Sequence, residues 1–222
     1  MSTVQNLLTS ACYKFGVAPD NQRFTDDFFS ALNNAQNDFA ISRSWGFLRT
    51  SADLTAAHAS RTTALPSNFG KLYDVPNALV ITSPAASSGG LVTLMPLEQW
   101  QSDYWEDGTT EGTPQYAYIL GSSIYWSPIP DAAYTVAALY YKIPTTIADT
   151  STAITIPDVY GEVLQKMIFR RLQDAGYASV QELQISDADI SLLMGKAARN
   201  DARQYGGLTF NLSSSTYTRS TI

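Results

Sequence analysis

The sequence predicts an α+β fold. A four-helix bundle-like domain is assembled from both chain ends, residues 1–46 and 157–205. An antiparallel β-sandwich or barrel-like domain, 47–156, is inserted between them, and an extended C-terminal arm, 206–222, follows. Three observations carry this. Apolar residues recur at helical spacing near both ends, and in the middle they give way to short β-branched and aromatic runs split by turn residues. After Tyr205, Gly206-Gly207 opens a Ser/Thr-rich stretch.

The first helix carries Val4, Leu7, Leu8, Ala11, Cys12 and Phe15 on one side and stops at Gly16, a residue suited to the left-handed turn after a helix. Thr25 is the expected N-cap of the second helix, with Asp26 and Asp27 in its first turn, where the dipole favours anions. Phe28, Leu32, Ala35 and Phe39 form its buried stripe, and Trp45 covers the seam at its end. In the middle, strands are expected at 79–82, 91–94, 116–120, 123–126 and 134–141, with Tyr116–Trp126 a hairpin around Gly121. Leu97 to Trp105 reads as one short helix.

Pro157 suits the first turn of a third helix, which carries Tyr160, Leu164 and Ile168 and ends at Gly176. Ser186 caps a fourth, with Asp187 and Asp189 in its first turn and Arg199 and Arg203 in its last turns. Neither helix pair is long enough to be stable alone, so the two are expected to bury one another.

Composition narrows function. The chain has 222 residues, and only 15% are charged, against 45% apolar and 12% aromatic. This excludes a disordered chain and leaves a surface of Ser, Thr, Gln, Asn and Tyr, of the kind that meets other protein. With a net charge of −6 and no basic cluster longer than Arg170-Arg171, it is not a protein that wraps nucleic acid. The acidity is local: residues 47–156 hold four basic and nine acidic side chains. One Cys and one His exclude a disulfide framework and a Cys/His zinc site. No run approaches a membrane span, and Met1–Ser10 lacks a signal-peptide pattern.

Phosphate-loop, dinucleotide, nucleophile-elbow and metalloprotease motifs are all absent. Cys12 reads as a small packed hydrophobe, and His58 as an exposed loop residue. The run Glu98 to Asp107, with Trp100, Tyr104 and Trp105 among its acids, resembles the equipment of a sugar groove or glycosidase. Trp100 and Tyr104 are also four apart, as on a helical turn that packs inward while the acids stay solvated. Tyr116, Tyr118, Tyr125, Tyr134, Tyr140 and Tyr141 suit sugar stacking or a protein interface, and strand alternation sends half of them into the core. Phe210, Leu212 and Tyr217 punctuate the arm. No catalytic residue, metal site or cofactor is expected. A carbohydrate-binding β module of a tail or surface protein, and a small hydrolase using Glu98 and Asp103, are the competing readings.

The order of these features resembles the head-to-tail connector (adaptor) proteins of tailed bacteriophages, especially the tail tubular protein A type of short-tailed phages. It begins with a helix ending in Ser42-Arg43-Ser44-Trp45-Gly46-Phe47, followed by Leu65-Pro66-Ser67-Asn68-Phe69 before a strand. Gly112-Thr113-Pro114-Gln115-Tyr116-Ala117-Tyr118, a hairpin to Ile124, and Pro128-Ile129-Pro130-Asp131-Ala132-Ala133-Tyr134-Thr135 come next. Tyr140-Tyr141, Ile156-Pro157-Asp158 and the two closing helices complete it, so the resemblance covers about Phe28 to Tyr205.

The resemblance implies a non-enzymatic virion protein at the head-tail junction, made in the host cytoplasm. It implies a ring, expected to be a dodecamer, that docks beneath the portal protein and extends the DNA channel toward a tail or nozzle protein. DNA would pass without specific binding, and no membrane is involved. A ring needs two different complementary patches per subunit. One is expected on Arg199, Arg203 and Tyr205 with the arm residues Phe210, Leu212 and Tyr217, which would also clasp the portal, and the other on the neighbouring helical face. Asp103, Glu106, Asp107 and Glu111 are the candidates for acids facing the channel, where like charge would keep phosphates from sticking.

Overall fold

A computed structural model describes residues 3–73, 75, 77–84, 90–104, 110–178 and 185–205, with the side chains of 102–104 outside the description. The chain divides into two compact units, Met1–Leu48 with Ile143–Ile222, and Arg49–Lys142. The fold is α+β, with five α-helices and both antiparallel and parallel strand pairs among the described residues.

In the helical unit, α1 (Val4–Phe15) starts at Thr3, whose hydroxyl accepts the Asn6 N–H, and ends at Gly16 in the left-handed conformation. The Val17 N–H then returns to the Cys12 carbonyl at 3.0 Å, closing the helix end. Helix α2 (Gln22–Ile41) begins a turn earlier than Thr25 predicts. Asn21 is the N-cap, its side-chain oxygen accepting the Phe24 N–H at 3.1 Å. The physical reason is Phe24, which is fully buried and has to join the helical stripe of Phe28, Leu32, Ala35 and Phe39. Asp26 and Asp27 therefore lie beyond the first turn, and Thr25 instead donates to the Asn21 carbonyl.

Pro157 precedes a single 3-10 turn, Asp158–Tyr160, and α4 begins only at Gly161, running to Asp174. Helix α5 is Asp187–Tyr205. Ser186 caps it reciprocally: its Oγ accepts the Asp189 N–H at 3.2 Å, while Asp189 Oδ2 accepts the Ser186 N–H at 3.2 Å.

Helix α2 packs on α4, α1 on α2, and α5 on α4. Edge-on aromatic contacts, Phe15 with Phe169 and Phe24 with Tyr177, fix one end of this packing. Each buried phenyl contributes roughly 1.5–3 kcal/mol through apolar burial. The segment after Lys142 is tied to α2 by a side-chain amide: Asn33 donates to the Ile147 carbonyl at 2.9 Å and accepts its N–H at 2.8 Å. Gln36, buried on the same helix, accepts the Thr155 N–H at 3.3 Å.

The β unit is built on one long central strand, β10 (Tyr134–Lys142). The other strands are β1 (Arg49–Ala56), β2 (Thr62–Ala64), β3 (Phe69–Leu72), β4 (Leu79–Ser83), β5 (Thr93–Leu94), β6 (Glu111–Gly112), β7 (Tyr116–Leu120), β8 (Ser123–Ser127) and β9 (Ile129–Pro130), and α3 is Leu97–Tyr104. Strand β1 pairs with β10 along its whole length, from Arg49 opposite Tyr141 to Ala56 opposite Tyr134. Strands β4 and β3 share the other side of β10.

A second sheet has the order β2-β8-β7-β5, and β6 pairs with β9 alone. Two pairings depart from the all-antiparallel expectation: β5 with β7 and β6 with β9 are parallel. Among the described residues the sheets do not close into a barrel. The β7–β8 hairpin turns at Gly121-Ser122 as predicted. Leu54, Ile81, Val92, Ile124, Trp126, Val136 and Tyr140 belong to one core cluster. Gly90 has no room for a side chain: its φ is +71° and a Cβ would lie 2.7 Å from the Ile81 carbonyl oxygen.

Candidate interaction surfaces

The best-defined polar site lies in the helical unit, where α5 meets the corner after α2. Leu193, Ala197 and Asp201 are the buried residues of α5, spaced one turn apart. The last of these puts a carboxylate where an apolar residue is expected. Asp201 is 4% exposed, and its two oxygens share the buried Gly46 N–H at 2.9 and 3.0 Å. A charge-assisted bond of this kind fixes the end of α5 against the corner.

Gly46 is required by that approach, since a Cβ there would come within 2.1 Å of Tyr205 Cβ. Around it, Trp45 stacks on Phe39 with centroids 4.4 Å apart and donates from Nε1 to the Phe39 carbonyl at 2.6 Å. Arg43 lies over the Trp45 ring.

Tyr160 packs into the same aromatic group, 5.5 Å from Phe47 and 5.6 Å from Trp45. Its hydroxyl is buried and makes no hydrogen bond of good geometry among the described residues. Burial, and then the negative charges of Asp201 and of ionised Tyr205, push its phenol up to about 12. A phenol raised in the folded state contributes stability that is fully present below pH 10 and falls as pH rises toward 12. Tyr160→Phe removes a buried hydroxyl whose approach to the Asp201 carboxylate falls short of a well-formed hydrogen bond, so we expect it to be at least as stable as the parent in urea at pH 7, within about 1 kcal/mol. Its advantage should widen by about 1–2 kcal/mol above pH 11. A variant less stable than the parent at both pH values contradicts this.

Of the expected interface residues, Arg199 and Arg203 are exposed on α5, and Tyr205 is 38% exposed beside Gly46. All three lie on the last two turns of one helix. Phe210, Leu212 and Tyr217 lie outside the described residues. Of the expected channel acids, Glu111 is exposed on β6, Asp103 is on α3 with its side chain outside the description, and Glu106 and Asp107 lie outside the described residues. The structure therefore does not bring the four acids together or apart.

Other sequence expectations resolve clearly. Trp100 is 1% exposed and stacked on Tyr118, so its ring is not offered to a sugar, while Glu98 on the same helix is exposed. Tyr118, Tyr134 and Tyr140 are buried, and Tyr116, Tyr125 and Tyr141 are half-buried; alternation accounts for the β10 residues, whereas Tyr118 shares a face with the half-buried Tyr116 and is stacked against Trp100 of α3. His58 is exposed in a turn. Cys12 is buried, and that burial pushes its thiol up, away from the reactive thiolate. Among the described residues, no three His, Cys, Asp or Glu side chains are grouped to hold a metal, and no helix is long and apolar enough to cross a membrane.

No curated protein matches the chain as a relative. The model of one protein family, the SU10 adaptor protein, matches residues 2–209, which takes in both units and the Gly46–Asp201 clamp. The chain thus belongs to the SU10 adaptor protein family, a family of structural phage adaptors.

Proposed function

We propose that this chain is a head-tail connector that forms a ring between the portal protein and the tail or nozzle, and that the ring extends the channel through which DNA leaves. Membership of the adaptor family is the observation that carries the reading. The end of α5 supports it. Asp201 and Tyr205 secure that end against Gly46, while Arg199 and Arg203 remain exposed where the arm departs. A secured helix end is a suitable root for a segment that has to transmit a grip on another protein. Arg199, Arg203, Tyr205 and the arm residues Phe210, Leu212 and Tyr217 form the portal and neighbour interface in this reading. The helices act as one bundle-like domain of residues 1–48 and 143–205, with the β unit of 49–142 inserted, narrower at its C-terminal side than the 47–156 expected, and the arm at 206–222. The ring is a dodecamer placed in the virion at the head-tail junction.

The acidic excess of residues 47–156 gives the channel its character. With Asp103, Glu106, Asp107 and Glu111 on the inner wall, DNA phosphates meet like charge and slide without binding. Phage assembled with all four changed to Asn or Gln should still carry tails, because the interface lies elsewhere. Their genome ejection should be several-fold slower when followed by dye entry into released DNA. Unchanged ejection, with these side chains on the outer surface of a reconstruction, contradicts the channel assignment.

A further inference from the structure

The β unit has one strand edge whose surroundings suit an added strand. The N–H groups of Thr93 and Met95 reach the carbonyls of Gln115 and Ala117, both at 2.8 Å. Backbone alternation then turns the Leu94 N–H and C=O away from β7. The Val92 N–H points to that same outer side and reaches the Leu79 carbonyl at 3.1 Å. Beyond Val92 the pairing stops: β5 ends its sheet, and no strand among the described residues pairs with Leu94 there.

A groove of about 240 Å³ opens at this edge, with Thr93 and Leu94 on one side and Leu72, Tyr73, Val75 and Ala78 on the other. The rim is apolar and open to solvent. Of its lining residues, Leu94 is 45% exposed and Val75 42%. Edges of this kind are normally blunted by charge, a bulge or a covering segment, and Thr93-Leu94 carries no charge.

The sequence supplies a matching segment. In Leu208-Thr209-Phe210-Asn211-Leu212 the apolar residues alternate with polar ones, which is the period of a strand with one buried face. No charged residue occurs between Leu208 and Thr218, so the segment enters an apolar groove without desolvating an ion. The arm from 206 to 222 spans up to about 55–60 Å when extended, enough to leave one subunit and lie along another.

We propose that the groove beside β5 receives Leu208–Leu212 of a second copy of this chain as an added strand. Main-chain bonds to Leu94 would supply affinity, and Leu208, Phe210 and Leu212 on the groove face would supply specificity. Donor segment and acceptor groove are different surfaces, so the contact is head-to-tail, the type that closes into a ring. The inference rests on the reading that copies of this chain form a ring. It leaves Tyr217, five residues further on, for the portal.

Cysteine pairing in the full chain tests it. Cys12 is buried and adds little background. Chains bearing Leu94→Cys are mixed with chains bearing one arm cysteine, at position 208, 209, 210, 211 or 212, and oxidised at a concentration where light scattering shows assembly. Cross-linked dimers should form from 208, 210 or 212 at least fivefold more than from 209 and 211. In the full chain, Leu94→Lys should raise the concentration for half-assembly at least tenfold, and Thr209→Lys, on the opposite face, should change it less than twofold. Equal yields at odd and even positions, or no cross-link from assembled chains, overturns the pairing while the ring stands. Chains that never assemble, alone or on a portal, overturn the ring reading and the pairing with it.

Discussion

Asp201→Ala is expected to lower unfolding stability by about 2–4 kcal/mol, the largest effect of any single polar substitution outside the aromatic core. The Gly46 N–H is buried and takes both oxygens of that carboxylate, so removing the acceptor leaves a buried donor without its protein partner. Asp201→Asn keeps one acceptor oxygen, and the loss should fall to about 1 kcal/mol, the net worth of one hydrogen bond. Gly46→Ala attacks the same contact from the other side. Its methyl would stand 2.1 Å from Tyr205 Cβ, so the last turn of α5 has to move, at a cost of about 1–3 kcal/mol. Urea unfolding followed by tryptophan fluorescence reads all three, since Trp45 lies in the corner. Hydrogen exchange at Gly46 should quicken in Asp201→Ala. Unchanged exchange there means that the carboxylate does not hold the corner.

Truncation before Leu208 is expected to abolish docking to the portal while leaving circular dichroism and the thermal midpoint within 1–2 °C of the full chain. Tyr205 against Gly46 completes the packing of α5, whereas residues 208–222 are mostly Ser, Thr and Asn and continue none of the buried helical stripes. In the reading proposed above, loss of residues 208–222 removes an interface and spares the core. Co-sedimentation of the truncated chain with portal rings, at the level of the full chain, contradicts the role given to the arm.

Much of this was legible in the residues, and what was not has identifiable physical causes. Burial imposes its period on the chain, so the stripe of Phe28, Leu32, Ala35 and Phe39 was readable before any coordinates. Local turn chemistry was equally readable at Gly16, Gly121 and Ser186. Asn21 and Thr25 are both good caps, and the choice between them was made by Phe24, whose burial is a tertiary fact. The parallel pairs β5–β7 and β6–β9 join strands of two residues, too short to carry any pattern. The Gly46–Asp201 contact links positions 155 apart, and sequence distance hid the partner. A signal was present all the same. Asp201 continues the four-residue step of Leu193 and Ala197, and a carboxylate on a buried stripe asks for a buried donor.

The central claim is that this chain builds a ring between portal and tail, and electron microscopy of the chain mixed with the portal assembly of its phage tests it most directly. The expected result is an added ring coaxial with the portal, on one face only, with the channel continuous through both. Portal particles unchanged in length, or chains bound singly around the portal without closing into a ring, would contradict it.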